Sequence, residues 1–402
     1  MPAYSGKFQY LDPSGAVASQ GACQFRFDKE TVVLTPSAGA PIAFDLGDVD
    51  FAVKHDWDCE LTLFTGRRIQ LRQFGAALST MTEEFFAAWR DRTVRCLLLE
   101  DLEELARYSA TVALDGPAAP AEIRLYQSNI AVLPLAGPAM QWRLAEVDAV
   151  SFDEAAYAVT LESAGRRLTV ARLAKKTDEF RGNLDGALTG LRMHAAQALH
   201  TTFPFLDPEQ LQVLTERMPE GRSVALDSLR EVHAQLPDAL IAHAVDEPLR
   251  PYFEALRARS AGDGLMTGFK FVRPDEEGGQ PVAEDKKDEQ ALFFWFFFPL
   301  PGGRVAWEAT TGSGRATYFF DAPAPVDQAI ARLTRGLALV NFRREPVYLP
   351  DESLEREQRF RRYAIGCRKL PDLRELRAAF RGRAIHTSVE AWTEQVEAGG
   401  SA

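Results

Sequence analysis

Between residues 3 and 203 the chain is built from short runs in which apolar and polar residues alternate, separated by turn clusters such as Asp12-Pro13-Ser14-Gly15, Ser37-Ala38-Gly39 and Ala136-Gly137-Pro138. A period of two with one apolar face predicts antiparallel strands. Twice the period changes. Phe85, Phe86, Trp89 and Val94, and later Phe180, Leu184, Leu188 and Leu191, recur near helical spacing and predict one amphipathic helix after each set of strands. Thr80 and Glu83 have the spacing of a capping box, and Asp178 and Glu179 place acids in the first turn of the second helix.

The pattern is duplicated. Glu60 to Phe85, ELTLFTGRRIQLRQFGAALSTMTEEF, returns as Ala158 to Phe180, AVTLESAGRRLTVARLAKKTDEF. The echo extends upstream, with Phe25-Arg26-Phe27 answered by Ile123-Arg124-Leu125 and Asp48-Val49-Asp50 by Glu146-Val147-Asp148. A fixed-period repeat governs the whole fold assignment, and here it predicts two units, near 3–105 and 106–203.

Residues 204–262 have a different texture. Asp207-Pro208 reads as a cap with proline at the first helical position, and further helices are expected over 224–235, 238–245 and 249–260, making a helical connector. A third β-rich unit, 263–345, opens at Gly268-Phe269-Lys270-Phe271. It is interrupted by the charged stretch 274–290, read as a mobile loop. Three strands then lead to a helix bearing Val326, Ile330, Leu333 and Leu337, the order expected of a partial third copy. Residues 346–402 form an Arg-rich tail, with helices expected over 352–369 and 371–381 and a frayed end from Glu397.

Seven short strands followed by one C-terminal helix, with Trp89 in that helix, resemble the pleckstrin-homology-like superfamily; Leu184 stands where the second copy departs from it. The resemblance implies an α+β protein of tandem small β-barrels, each capped by its helix. It further implies a phosphate cage of Lys and Lys/Arg-x-Arg in lipid-binding members. The counterparts here are Lys7 with Arg26-Phe27-Asp28, and Arg124-Leu125-Tyr126, so the cage is missing and phosphoinositide binding is not expected.

Composition bounds the remaining choices. The chain has 402 residues, 46% apolar and 26% charged, too long for one core. Its net charge of -11 opposes a surface that binds nucleic acid or anionic membrane as a whole. Cys23, Cys59, Cys96 and Cys367 form no CxxC, which suits a reducing, cytoplasmic setting, and the N-terminus shows no secretory signal pattern. The longest apolar run, Ala291 to Leu300, falls short of the roughly 20 residues of a spanning helix.

Four stretches carry candidate chemistry. Gly66-Arg67-Arg68 and Gly165-Arg166-Arg167 place paired guanidinium groups at equivalent turns, with one arginine of each pair expected to face a common groove. His55-Asp56-Trp57-Asp58-Cys59-Glu60 holds metal-capable side chains, but consecutive extended residues alternate faces, so an acidic turn and no metal site is expected. Leu292 to Phe298, LFFWFFF, reads as a doubly buried strand, with Phe294 and Phe296 as candidate binding residues. From 342 to 383 the tail carries twelve basic against seven acidic residues. Arg359, Arg361, Arg362 and Arg368 are therefore candidates for nucleic-acid contact, or form a salt-bridged face in which Glu355 meets Arg359 and Arg362. No phosphate-loop, HExxH or paired-cysteine motif occurs, and no cofactor is implied.

The expectation is a non-catalytic adaptor that binds a protein partner through its duplicated units. A histone- or nucleic-acid-associated chaperone of the FACT type, with double pleckstrin-homology-like units, and a membrane-surface module are the alternatives.

Overall fold

A computed structural model describes residues 3–99, 102–135, 138–260, 264–272, 291–310 and 315–397. The charged stretch 274–290 and the end of the chain from 398, both assigned a character from sequence, lie outside the described residues. Two compact units emerge: the chain up to Ala187 together with Asp351–Pro371, and Leu188–Pro350 together with the chain from Asp372.

Unit 1 contains two sheets of seven strands. The first is made by β1 (Ala3–Leu11), β2 (Val17–Phe27), β3 (Thr31–Pro36), β4 (Ile42–Asp45), β5 (Val49–Lys54), β6 (Asp58–Leu63) and β7 (Arg68–Arg72), followed by helix α1 (Ala77–Cys96). The second is made by β8 (Glu104–Leu114), β9 (Ala119–Tyr126), β10 (Asn129–Pro134), β11 (Met140–Arg143), β12 (Ala149–Asp153), β13 (Ala158–Ser163) and β14 (Arg166–Ala171), followed by helix α2 (Thr177–Thr202).

Their strand orders are β4-β3-β2-β1-β7-β6-β5 and β11-β10-β9-β8-β14-β13-β12, the same connectivity laid down twice. A one-turn 3-10 segment precedes the fifth strand in both, at Leu46–Asp48 and Leu144–Glu146. Among the described residues β4 does not pair with β5, nor β11 with β12, so neither sheet closes into the barrel expected from sequence.

The alternation does what a period of two requires. In β6 the residues Cys59, Leu61 and Leu63 turn inward, opposite Leu71 and Ile69 of β7, and pack with Phe25, Phe85 and Trp89. The start of α1 differs from the sequence expectation. The helix begins at Ala77, its cap Ala76 makes no side-chain hydrogen bond, and Thr80 lies inside it. Helix α2 buries Phe180, Leu184 and Ala187 in unit 1.

Gly182, Gly186 and Gly190 share one face of α2, and a Cβ at any of them would meet nothing within 4 Å. Glycine inside a helix costs about 0.5–1 kcal/mol relative to alanine. Gly182→Ala and Gly186→Ala are each expected to stabilise the protein by about that amount, read as a higher denaturation midpoint. A lower midpoint would show that the face is packed after all.

In unit 2, α3 (Pro208–Arg217) starts as the sequence predicts. Asp207 and Gln210 form a reciprocal capping box and Pro208 sits at the first turn. The helix expected over 224–235 is instead a two-residue strand, β15 (Val224–Ala225), and a 3-10 turn. Helices α4 (Leu236–Ala244) and α5 (Arg250–Arg259) follow, and Pro237 opens α4 rather than separating helices.

These helices belong to the third sheet rather than to a free-standing connector. Phe203, Leu214, Leu229, Leu240 and Phe253 share one core with Phe294, Phe296 and Phe298. That sheet runs β15-β16-β17-β18-β19-β20, with β16 (Met266–Val272), β17 (Ala291–Leu300), β18 (Arg304–Ala309) and β19 (Ala316–Asp321) in the middle and β20 (Phe380–Ile385) at the far edge. Among the described residues this consecutive order lacks the pairing of first with seventh strand seen twice in unit 1, so the third unit does not repeat the full seven-strand connectivity. Helix α6 (Val326–Leu339) follows β19 and α7 (Glu345–Tyr348) follows α6.

The tail is divided between the units. Helices α8 (Asp351–Arg356) and α9 (Arg361–Lys369) belong to unit 1. Helix α10 (Pro371–Ala379), strand β20 (Phe380–Ile385) and helix α11 (Val389–Glu397) belong, from Asp372, to unit 2. The all-helical reading of the tail is corrected here, because β20 pairs with β19, Thr317 opposite Ala384, and ends the sheet. Its partner lies some sixty residues earlier, beyond the reach of local periodicity.

Candidate interaction surfaces

Both Gly-Arg-Arg turns are formed as expected. Gly66 and Gly165 adopt φ of +76° and +79°, the left-handed region that glycine enters without a Cβ penalty. Each arginine already has a partner. Arg67 donates to the Tyr10 hydroxyl at 3.1 Å and Arg68 lies 3.7 Å from Glu60. Arg166 lies 3.7 Å from Asp115 and over the Trp142 ring, and Arg167 pairs with Glu162 at 2.9 Å.

An open groove of about 560 Å³ at the second turn is lined by Asp115, Asp148, Glu162, Arg166 and Arg167, with no residue of the first turn. Thus the two turns do not converge on it. Both arginines of the second pair line it, against the expectation of one: Arg167 pairs with Glu162, directly opposite it on β13, and Arg166 reaches Asp115. Exposed pairs of this kind contribute about 0–1 kcal/mol. With three carboxylates against two guanidinium groups, the groove is not poised for phosphate.

Arg124, from the missing phosphate cage, is also committed: it is buried against Glu122 at 2.7 Å and Asp91 at 2.8 Å.

Phe294 and Phe296 are 1% and 0% exposed, so they offer no binding surface, and that assignment is withdrawn. Both faces of β17 are covered. Phe296 and Phe298 meet Phe253 at 4.9 and 5.2 Å, while on the other face Trp295 meets Phe342 at 4.1 Å. Six aromatics in a row are what a doubly buried strand requires.

The basic tail is likewise occupied. Glu357 leaves helical geometry, with φ -86° and ψ 117°, so the expected pairing of Glu355 with Arg359 and Arg362 does not form. Instead Arg361 pairs with Glu355 and with Asp48 at 3.4 Å, and Arg368 pairs with Asp48 at 3.2 Å and Glu355 at 3.0 Å. Arg359 pairs with Glu357 at 3.0 Å and lies over the Phe360 ring, and Arg362 donates to the Tyr363 hydroxyl.

Lys369 donates to the Val49 carbonyl at 3.0 Å, and burial pushes its pKa down. Burial pushes the Asp48 carboxyl up, opposed by Arg368 and Arg361. Helix α9 is therefore a built-in part of unit 1, with Arg361 and Arg368 spent on that unit's own carboxylates and Lys369 on its backbone.

A sealed cluster sits in unit 2. Thr317 donates to Glu308 at 2.6 Å and accepts from the Trp392 indole at 2.9 Å. His386 Nε2 lies 3.1 Å from the Thr317 hydroxyl and 3.4 Å from Glu308, with Tyr252 stacked 4.0 Å from its ring. With the threonine proton given to the carboxylate, the imidazole proton belongs on Nε2. The glutamate is fully buried, so the network reads as internal support for the sheet.

Sequence reasoning passed over two residues. Trp57 is 84% exposed and Tyr157 is 65% exposed, and each stands immediately before the sixth strand of its copy. The stretch around Trp57 reads from sequence as an acidic turn with metal-capable side chains; among the described residues no group of three or more such side chains is close enough to hold an ion. The available signal was the duplication itself, which puts an aromatic at the same turn twice. Acids flank Trp57 directly, at Asp56 and Asp58, while in the second copy Asp153 and Glu154 open the turn that leads to Tyr157. Asp153 accepts from the backbone of Ala155 and Ala156 and so fixes its turn.

The described residues thus define an α+β protein of three antiparallel sheets with flanking helices, and no helix among them is long and apolar enough to cross a membrane. No family model matches the chain, and no curated protein matches it. Among solved structures, the C-terminal domain of an unknown protein from Leishmania infantum is similar over 24% of this chain and 94% of its own, at 9% identity and a TM-score of 0.22. That likeness is too slight to bear on fold or function.

Proposed function

We propose that this protein is a non-catalytic adaptor that binds a protein partner through its duplicated units, each read as pleckstrin-homology-like. The shared strand order, with the first strand beside the seventh and a helix after the seventh, supports that reading of the units.

The observation that carries the adaptor role is the pair of exposed aromatics, Trp57 and Tyr157, at equivalent hairpin tips. Single exposed apolar residues are ordinary on a protein surface. The same turn capped twice by a large aromatic is not scatter. Tyr157 also adopts φ 47°, where a bulky side chain is strained and asparagine or glycine would serve the turn better. An aromatic held there at a local cost is explained by use, and tryptophan and tyrosine are the side chains that most often anchor protein interfaces.

Capture experiments from native extract with the full-length protein as bait test the reading. At least one protein is expected to be enriched about tenfold less by the Trp57→Ala, Tyr157→Ala double variant, in line with the loss of about 1.4 kcal/mol or more of binding. Both residues are exposed, so the variant is expected to melt within about 0.5 kcal/mol of the wild type. Equal recovery by both baits, or a catalytic turnover with no partner, would defeat the adaptor reading.

A further inference from the structure

The two copies in unit 1 present the same outer sheet face, and only one of them is covered. In the second copy Arg124 of β9 stands opposite Ala131 of β10 and Ala131 opposite Gln141 of β11, with Glu122 opposite Leu133 alongside. Arg124, Ala131 and Leu133 are buried. Part of the cover is the helix of the first copy. Asp91 of α1 pairs with Arg124 at 2.8 Å, Arg90 lies 3.6 Å from Glu122, and Gln141 donates to the Leu97 carbonyl at 2.8 Å just past the helix end. The other side of α1, with Phe85 and Trp89, packs in the core of the first sheet. Sheet, helix and sheet are thus successive layers. Helix α2 is the fourth, seated on the second sheet where Phe180 meets Tyr108 at 5.3 Å and Asn183 donates to the Tyr108 hydroxyl at 2.8 Å.

This stack is open at both ends. The register of the first copy is identical: Arg26 of β2 stands opposite Val33 of β3, Val33 opposite Ala43 of β4, and Gln24 opposite Thr35. Yet Gln24, Arg26, Thr35 and Ala43 are exposed. Arg26 donates to Gln24 at 2.8 Å and meets no carboxylate among the described residues, whereas its counterpart Arg124 has Asp91. At the other end, counting from Phe85 and Phe180, Arg90 and Asp91 of α1 correspond to Asp185 and Gly186 of α2. Both are exposed, and Asp185 has no ion pair among the described residues.

We propose that a second copy of this chain docks here, the side of α2 around Gly182, Asp185 and Gly186 in one molecule lying against the outer face of β2, β3 and β4 in the next. The occupant follows from the layer order: one molecule carries both a sheet face without a helix and a helix side without a sheet. Stacked repeats bury surface against their neighbours and leave the same two surfaces at their ends. The composition of the open face agrees. Val33 and Ala43 stand where the covered copy has Ala131 and Gln141, so its centre is no less apolar. Asp185 brings the carboxylate that Arg26 lacks, one helix position from the place of Asp91. Gly182 and Gly186, where a Cβ would meet nothing within 4 Å, let the sheet approach the helix backbone. Two different surfaces meet, so the contact is heterologous and builds rings or open chains rather than two-fold dimers.

The inference does not depend on the adaptor reading. Sedimentation velocity of the full-length protein over a range of concentrations tests it, and the wild type is expected to shift to larger species as concentration rises. Arg26→Asp and Asp185→Arg each set like charges across the contact and are expected to weaken self-association at least about tenfold. Both positions are exposed, so each variant is expected to keep the wild-type circular dichroism spectrum and melting temperature. An equimolar mixture of the two is expected to associate again, because each supplies the face the other has lost. A wild type that stays monomeric at every concentration overturns the proposal, as does a mixture no more associated than its components. Association that is lost in Trp57→Ala, Tyr157→Ala but kept in both charge variants would move the contact to the hairpin tips and overturn it too. Partner capture through those tips is read in a separate experiment and stands or falls by itself.

Discussion

Gly268→Ala is expected to destabilise unit 2 by about 3 kcal/mol, the upper part of the usual range for overpacking. Gly268 lies in β16 opposite Trp295 of β17. A Cβ there would collide with the Arg222 carbonyl oxygen and with the Trp295 ring. Neither obstacle yields easily. The ring is fully buried, its indole N–H donates to Ser223 at 3.2 Å, and its face packs on Phe342. The segment bearing the carbonyl is pinned by Gly221 donating to Phe269 and by the pairing of Val224 with Thr267.

Domains of this size are stable by about 5–15 kcal/mol, so the loss is a large share of the total. Urea denaturation followed by hydrogen exchange of β16 and β17 reads it directly. Gly182→Ala, whose Cβ enters open space, serves as the control of opposite sign. A Gly268→Ala protein with an unchanged midpoint would show that β15 and the residues before it do not press on β16.

The second large effect is alkaline unfolding that begins in unit 1. All four cysteines fall in unit 1. Burial pushes the Cys59 and Cys96 thiols up to about 12 from the ordinary 9.0, and Cys23 to about 11. A thiol with a raised folded pKa keeps its proton in the native state after the unfolded chain has lost it. Its contribution is complete below about pH 9 and is lost as the pH climbs toward the folded value.

Each such thiol costs about 1.4 kcal/mol per pH unit in that window, so Cys59 and Cys96 together remove about 5 kcal/mol between about pH 9 and pH 11. Lys369 works the other way. Its lowered pKa means that stability is gained as the pH rises toward 10.5, which offsets part of the loss. Tyr108 and Tyr126, both raised by burial, add to the loss above pH 10. Exchange-resolved melting against pH is expected to show unit 1 opening first, with Cys59→Ala, Cys96→Ala moving its alkaline midpoint upward. Identical profiles for the variant and the wild type would refute the assignment to the thiols.

The candidate surfaces were less legible than the fold. Arg67, Arg68, Arg166 and Arg167 were found by their motif, but the motif does not contain Tyr10, Glu60, Asp115 or Glu162, the partners that occupy them. Arg361 and Arg368 looked available until Asp48, more than three hundred residues earlier, appeared beside them. Trp57 gave no local sign of exposure, since a tryptophan in a strand-rich segment is ordinarily core.

The sequence by itself determined the duplication and its strands, because side-chain alternation, turn glycines such as Gly66 and Gly165, and the change to helical spacing are written within a few residues of one another. Only the tertiary structure decided that 351–371 joins unit 1, that β20 completes the third sheet, and that Arg124 is covered while Arg26 is open. Those outcomes turn on which distant surfaces meet. Local periodicity selects the face an element presents, but its partner is chosen by packing and charge across hundreds of residues.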